Sequence, residues 1–105
     1  MSTDRTIPLE KSIVSDIVRA LKAAGVKWVI KTHGGPYQRT GIPDIILIAP
    51  RTGRFVGIEV KRPKLGVLSD LQAAQIDKIN RSGGVAGVAY GREDALEILK
   101  QAERG

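Results

Sequence analysis

Two apolar runs separated by a four-residue turn dictate a β-hairpin in the middle of this chain. Ile45-Ile46-Leu47-Ile48 is too short for a helix and rich in β-branched side chains. Phe55-Val56-Gly57-Ile58-Glu59-Val60-Lys61 reads as a second strand, and Pro50-Arg51-Thr52-Gly53 between them has turn chemistry. A connection this short makes the strands antiparallel neighbours. Asp44, at the beginning of the first, then lies at the same sheet edge as Glu59 and Lys61 near the end of the second. Glu59 and Lys61 are two apart and point to one face. Charges set in apolar strands are costly unless paired or bound to a metal.

The rest of the chain supplies cover for such a sheet. After a loose tail over residues 1–7, Pro8 suits the first turn of a helix. Ile13, Ile17, Leu21 and Ala24 follow at helical spacing, with Val14 and Val18 widening the stripe, and Gly25 stops it. Residues 26–32 alternate Val26, Trp28 and Ile30 with Lys27, Val29 and Lys31, a half-polar strand. A loop at 33–40 is marked by Gly34-Gly35-Pro36. Ser69 is the expected N-cap of a helix through about Asn80, ended by Ser82-Gly83-Gly84. Residues 85–90 read as a fourth strand and residues 93–102 as a last helix. The order is αβββαβα, with no repeat or internal linker. The expected fold class is α/β: a three-layer core with a mixed four-stranded sheet flanked by helices.

Composition narrows the partners. A chain of 105 residues, 42% hydrophobic, builds one domain over its whole length. Its net charge of +6 favours polyanions, nucleic acid first, while 4% aromatics makes base stacking a minor mode. With no cysteine, disulfides, thiolate metal sites and cysteine nucleophiles are excluded. Met1 to Leu9 is polar, without the apolar stretch of a signal peptide or membrane span, so the expected compartment is the cytoplasm.

Converging carboxylate oxygens suit a hard cation, Mg²⁺ or Mn²⁺, and the backbone carbonyl of Val60 can add a further oxygen. Such an ion polarises a phosphoryl oxygen and acidifies a bound water. Lys61 beside it can position that water or offset charge in the transition state. The plainer reading is an ion pair between Lys61 and Asp44 or Glu59.

The wider pattern bears on that choice. Gly34-Gly35-Pro36-Tyr37-Gln38-Arg39-Thr40-Gly41-Ile42-Pro43-Asp44, then Gly57-Ile58-Glu59-Val60-Lys61-Arg62-Pro63, then Leu71-Gln72, resemble the virus-type replication-repair nuclease (VRR-NUC) family. That family belongs to the PD-(D/E)xK nucleases, whose core is restriction-endonuclease-like. The resemblance runs from about Glu10 to Tyr90 and includes Gly83-Gly84-Val85-Ala86-Gly87. It implies Asp44 and Glu59 as metal ligands, Lys61 as catalytic lysine, Glu10 as the acid completing the metal site, and Gln72 near the water or the lysine. The plainer alternatives are a helix-start glutamate favoured by the macrodipole for Glu10 and a solvated side chain for Gln72.

His33 reads as a strand-end residue and stays outside the catalytic set. Gly41 is expected to free the backbone that delivers Pro43-Asp44. Tyr37, Gln38 and Arg39 in the loop, with Arg62 and Lys64 beyond the second strand, are candidate DNA contacts, Arg39 to phosphate. Arg51, Arg54, Lys27 and Lys31 extend this to a phosphate-tracking surface whose affinity falls with salt. The resemblance implies a metal-dependent, structure-selective DNA endonuclease, with a homodimer resolving four-way Holliday junctions as the leading form. Flap or nicking activity in phage replication or repair, and a non-catalytic DNA-binding module, are the alternatives.

Overall fold

Helix α1 (Glu10–Ala23) leads into strands β1 (Val29–Lys31), β2 (Ile45–Ile48) and β3 (Phe55–Val60), helix α2 (Asp70–Arg81), strand β4 (Val85–Ala89) and helix α3 (Arg92–Glu103). The structure is a computed structural model and describes residues 7–35 and 41–104. The sheet order is β1-β2-β3-β4, with the first three strands antiparallel and β4 parallel to β3. A parallel neighbour requires a crossover, and α2 provides it. The expected mixed four-stranded α/β core, in the order αβββαβα, is the observed one.

The β2–β3 register pairs Ile45 with Ile58 and Ile48 with Phe55. Alternation then sends Ile45, Leu47, Val56, Ile58 and Val60 to one face. These bury against Ile13, Ile17 and Leu21 of α1 and Ala95, Ile98, Leu99 and Ala102 of α3. The opposite face carries Gly57 and Glu59 and receives α2. A Cβ on Gly57 would lie 2.9 Å from Pro43 Cγ and 3.2 Å from Ile79 Cδ1, so glycine lets α2 and the Pro43 turn close on the sheet.

Two expectations shift. The first strand is three residues rather than seven, because Val26 N–H turns back to Leu21 O and closes the helix end after Gly25 at φ +100°. Its inward residue is Val29, which packs on the core, while Trp28 is exposed. Pro8 precedes the N-cap Leu9 rather than occupying the first turn. The Ser69 N-cap is as read, and forms a full capping box with Gln72. No helix among the described residues is long and apolar enough to cross a membrane.

Candidate active site

Hairpin register places Asp44 across from Glu59, one step beyond the Ile45–Ile58 pair. Thr32, the residue after β1, fixes this corner from the other side. Its N–H donates to Asp44 O at 2.8 Å, and its hydroxyl donates to Pro43 O at 2.6 Å. Gly41 at φ +88° makes the turn into Pro43-Asp44, and a Cβ there would sit 2.9 Å from Leu71 Cγ of α2. The backbone freedom expected at Gly41 is used, and so is its lack of a side chain.

Among the described residues, the buried polar or charged side chains are Thr32, Asp44 and Glu59. All three belong to this corner. Val60 N–H donates to Asp44 Oδ2 at 2.9 Å, and His33 Nδ1 lies 3.2 Å from Asp44 Oδ1. Glu10, in the first turn of α1, brings Oε1 within 3.4 Å of the same His33 Nδ1. One donor atom each from Glu10, His33 and Asp44 lie within 4.8 Å of one another.

Glu59 is held from α2 and from its own strand. Gln72 Nε2 donates to Glu59 Oε2 at 2.9 Å, and Lys61 Nζ stands 3.7 Å from the same oxygen. Gln72 divides its amide, since Oε1 accepts from Ser69 N–H at 3.0 Å in the capping box. A solvated role for Gln72 is thereby replaced by a dual one. Burial, then the hydrogen bond and negative charge of Asp44, with a further push from Glu10, raise the Glu59 carboxyl to about 8; Lys61 opposes them. A carboxyl raised first by burial and then by neighbouring acids stands out inside a chain of net charge +6.

The structure therefore brings Asp44, Glu59, Lys61, Gln72 and Glu10 to one corner of the sheet. His33, outside the catalytic set expected from sequence, stands between two of the acids. A lone histidine after a strand carries no periodic or motif signal; only the β1–β2 register, with Lys31 opposite Ile45, reveals its position. Arg62 donates Nε to Pro8 O at 2.9 Å and Nη2 to Ile7 O at 3.1 Å, holding the segment ahead of α1. Lys64 is exposed, in a turn at φ 67°. Tyr37, Gln38 and Arg39 lie outside the described residues. Arg51 and Arg54 belong to the turn end of the hairpin, about 13 Å of strand away from Asp44 at about 3.3 Å per residue, so they do not flank the acids as expected.

The model of the VRR-NUC domain matches residues 8–93. No curated protein and no solved structure matched the chain.

Proposed function

The chain belongs to the VRR-NUC family of nucleases, and on that premise we propose that it is a Mg²⁺- or Mn²⁺-dependent DNA endonuclease that cuts branched DNA, four-way junctions first, as a homodimer. One observation carries the catalytic part: the buried charge among the described residues is gathered at one sheet edge, around Asp44 and Glu59. A fold that needed only stability would not bury two carboxylates side by side.

The donor set suits a divalent ion. Burial first, then the neighbouring carboxyls of Asp44 and Glu10, push Glu59 to about 8, and a cation would offset that penalty on the ionised acid. Glu10, Asp44 and Glu59, with the Val60 carbonyl, would hold it. When bound, it supplies Lewis-acid stabilisation of a phosphoryl oxygen and a more acidic water. The chain's own residues do the rest. The Val60 N–H fixes Asp44 and the Gln72 amide fixes Glu59, so neither acid needs to reorganise during the reaction. Lys61, mostly buried beside Glu59, holds a positive charge where negative charge grows on the phosphoryl group. Water oxygen bonds to phosphorus, the ester P–O bond breaks, and the departing oxygen takes up a proton.

Dimerisation has support on the face shared with α2. Trp28, Ile48 and Phe55 lie in one cross-strand row, Ile48 N–H bonding to Trp28 O and Ile48 pairing with Phe55. Each is more than a third exposed. Such a row on a sheet suits an isologous contact, and two-fold symmetry would present paired sites to the two strands of a junction.

The test is cleavage of labelled four-way junction, flap and linear duplex, with Mg²⁺, with Mn²⁺ or with chelator, alongside Asp44→Ala. Metal-dependent junction cleavage, lost in the variant, is expected. Cleavage of flaps alone would replace the junction reading, and no cleavage of any substrate would remove the enzymatic one. Light scattering over a concentration series reports the dimer.

A further inference from the structure

We propose that His33 is itself a ligand of the catalytic ion, making the site a mixed nitrogen–oxygen centre that prefers Mn²⁺ to Mg²⁺. The inference rests on the metal-dependent reading above and sharpens which ion it takes.

Three observations converge. First, the Nδ1 atom, rather than the backbone or the ring edge, faces the acids, at 3.2 Å from Asp44 Oδ1 and 3.4 Å from Glu10 Oε1. Two donors bonded to one ion at about 2.1 Å and at right angles are about 3.0 Å apart, so both separations are close to an edge of an octahedral shell. Second, His33 is held in place by the main chain, its N–H bonding to Asp44 O at 3.3 Å beside the 2.8 Å bond from Thr32. The ligand and the acid it would share an ion with are thus clamped to each other before any ion arrives. Third, the imidazole is half-buried, with about a quarter of its side chain exposed, leaving an open side for solvent and substrate.

Without an ion, the same Nδ1 stands between the two carboxylates. Glu59 is tied to Gln72 and Lys61. Asp44, with Oδ1 toward His33 and Oδ2 toward Val60, is the acid common to both halves of the cluster. Imidazole suits borderline transition ions, whereas Mg²⁺ takes oxygen ligands and keeps its waters. Adding one imidazole to the carboxylate site therefore discriminates in favour of Mn²⁺.

His33 is the chain's single histidine, which makes the test direct. Untagged protein is loaded with Mn²⁺ and examined by pulsed EPR, once at natural abundance and once with ¹⁵N-labelled histidine. Nitrogen coupling to Mn²⁺ that changes isotope pattern with the label supports the proposal, and it requires no substitution that could perturb folding. Calorimetric titration then compares Mn²⁺ and Mg²⁺ on wild type, His33→Ala and His33→Gln. Preference for Mn²⁺ should fall by about 10-fold or more, as metal sites lose at least this much with even an outer partner. Mn²⁺ binding with no histidine nitrogen coupling overturns His33 as a ligand and leaves the oxygen-only site standing. Absence of any Mn²⁺ or Mg²⁺ binding overturns both this inference and the metal-dependent reading beneath it.

Discussion

The two faces of the sheet are built on opposite terms. Toward α1 and α3, Ile45, Leu47, Val56, Ile58 and Val60 are fully buried among aliphatic partners. Toward α2, the strands present Gly57 and Glu59, and α2 itself has no fully buried residue. Each large aliphatic side chain sealed on the first face contributes about 1.5–3 kcal/mol. That face carries the aliphatic core, and the other carries the charges that oppose folding.

The sharpest way to break this division is a pair of substitutions. Asp44→Asn keeps an acceptor for Val60 N–H while removing one of the crowded charges. Cleavage should fall by about 10³-fold, equivalent to about 4 kcal/mol of transition-state stabilisation, while the urea midpoint stays level or rises. Leu47→Ala should do the reverse, costing about 2–5 kcal/mol of stability with the specific activity of the folded fraction preserved. If Asp44→Asn unfolds the protein, the acids are part of the structural core and the division fails.

Glu59 sharpens the comparison through pH. Its carboxyl ionises near 4.5 in the unfolded chain and about 8 in the folded one. The folded state thus binds the proton more tightly, and its contribution is complete below pH 4.5. It declines as pH rises through that window and is gone above 8. In chelator, wild type should lose stability between pH 5 and 8.5, and Glu59→Gln should flatten the decline. Added Mn²⁺ should offset the loss in wild type at high pH, because it stabilises the ionised cluster. Thermal melts at four pH values read both effects.

What the sequence made legible follows the same division. The apolar runs at Ile45-Ile46-Leu47-Ile48 and Phe55-Val56-Gly57-Ile58 announce strands because burial on a sheet face repeats every two residues. The short turn between them fixes a register that already juxtaposes Asp44 and Glu59. Gln72 was visible as a motif position, yet its grip on Glu59 depends on how α2 crosses β3. His33 was illegible for a related reason: its partners Glu10 and Asp44 are 23 and 11 positions away, and only tertiary packing of α1 against the β1 end unites them. Arg62 shows the converse, a cation whose value looked like charge but whose guanidinium is engaged with the Ile7 and Pro8 carbonyls.

Gln72 tests where the two faces meet. Gln72→Ala removes the side-chain half of the capping box, the acceptor for Ser69 N–H, at about 0.5–1.5 kcal/mol, and also the donor to Glu59. The backbone N–H at position 72 still bonds to Ser69 Oγ. Gln72→Glu retains an oxygen for Ser69 N–H but sets another carboxyl against Glu59. Stability should follow the cap, with the Ala variant affected at every pH and the Glu variant chiefly above pH 7. Cleavage should drop in both. If Gln72→Glu cleaves like wild type, Gln72 serves the helix alone and the coupling between cap and site is absent.

The smallest effect concerns the turn after β3. Gly66 packs so tightly under Lys61 that a Cβ there would come within 2.6 Å of Lys61 Cβ. Folding the chain back this closely leaves Lys64 at φ 67°, a left-handed conformation that costs a side-chain-bearing residue about 1–2 kcal/mol. Lys64→Gly should therefore raise stability by a few tenths to about 1 kcal/mol, after glycine's extra unfolded-state entropy is subtracted. Lys64→Asn, which tolerates the same conformation, should fall between the two. If the lysine is kept there for phosphate, both variants should also reduce the salt slope of DNA binding by about one unit. A gain in stability with an unchanged salt slope would make the turn a support for Lys61 only, and would confine the DNA-facing charge to other residues.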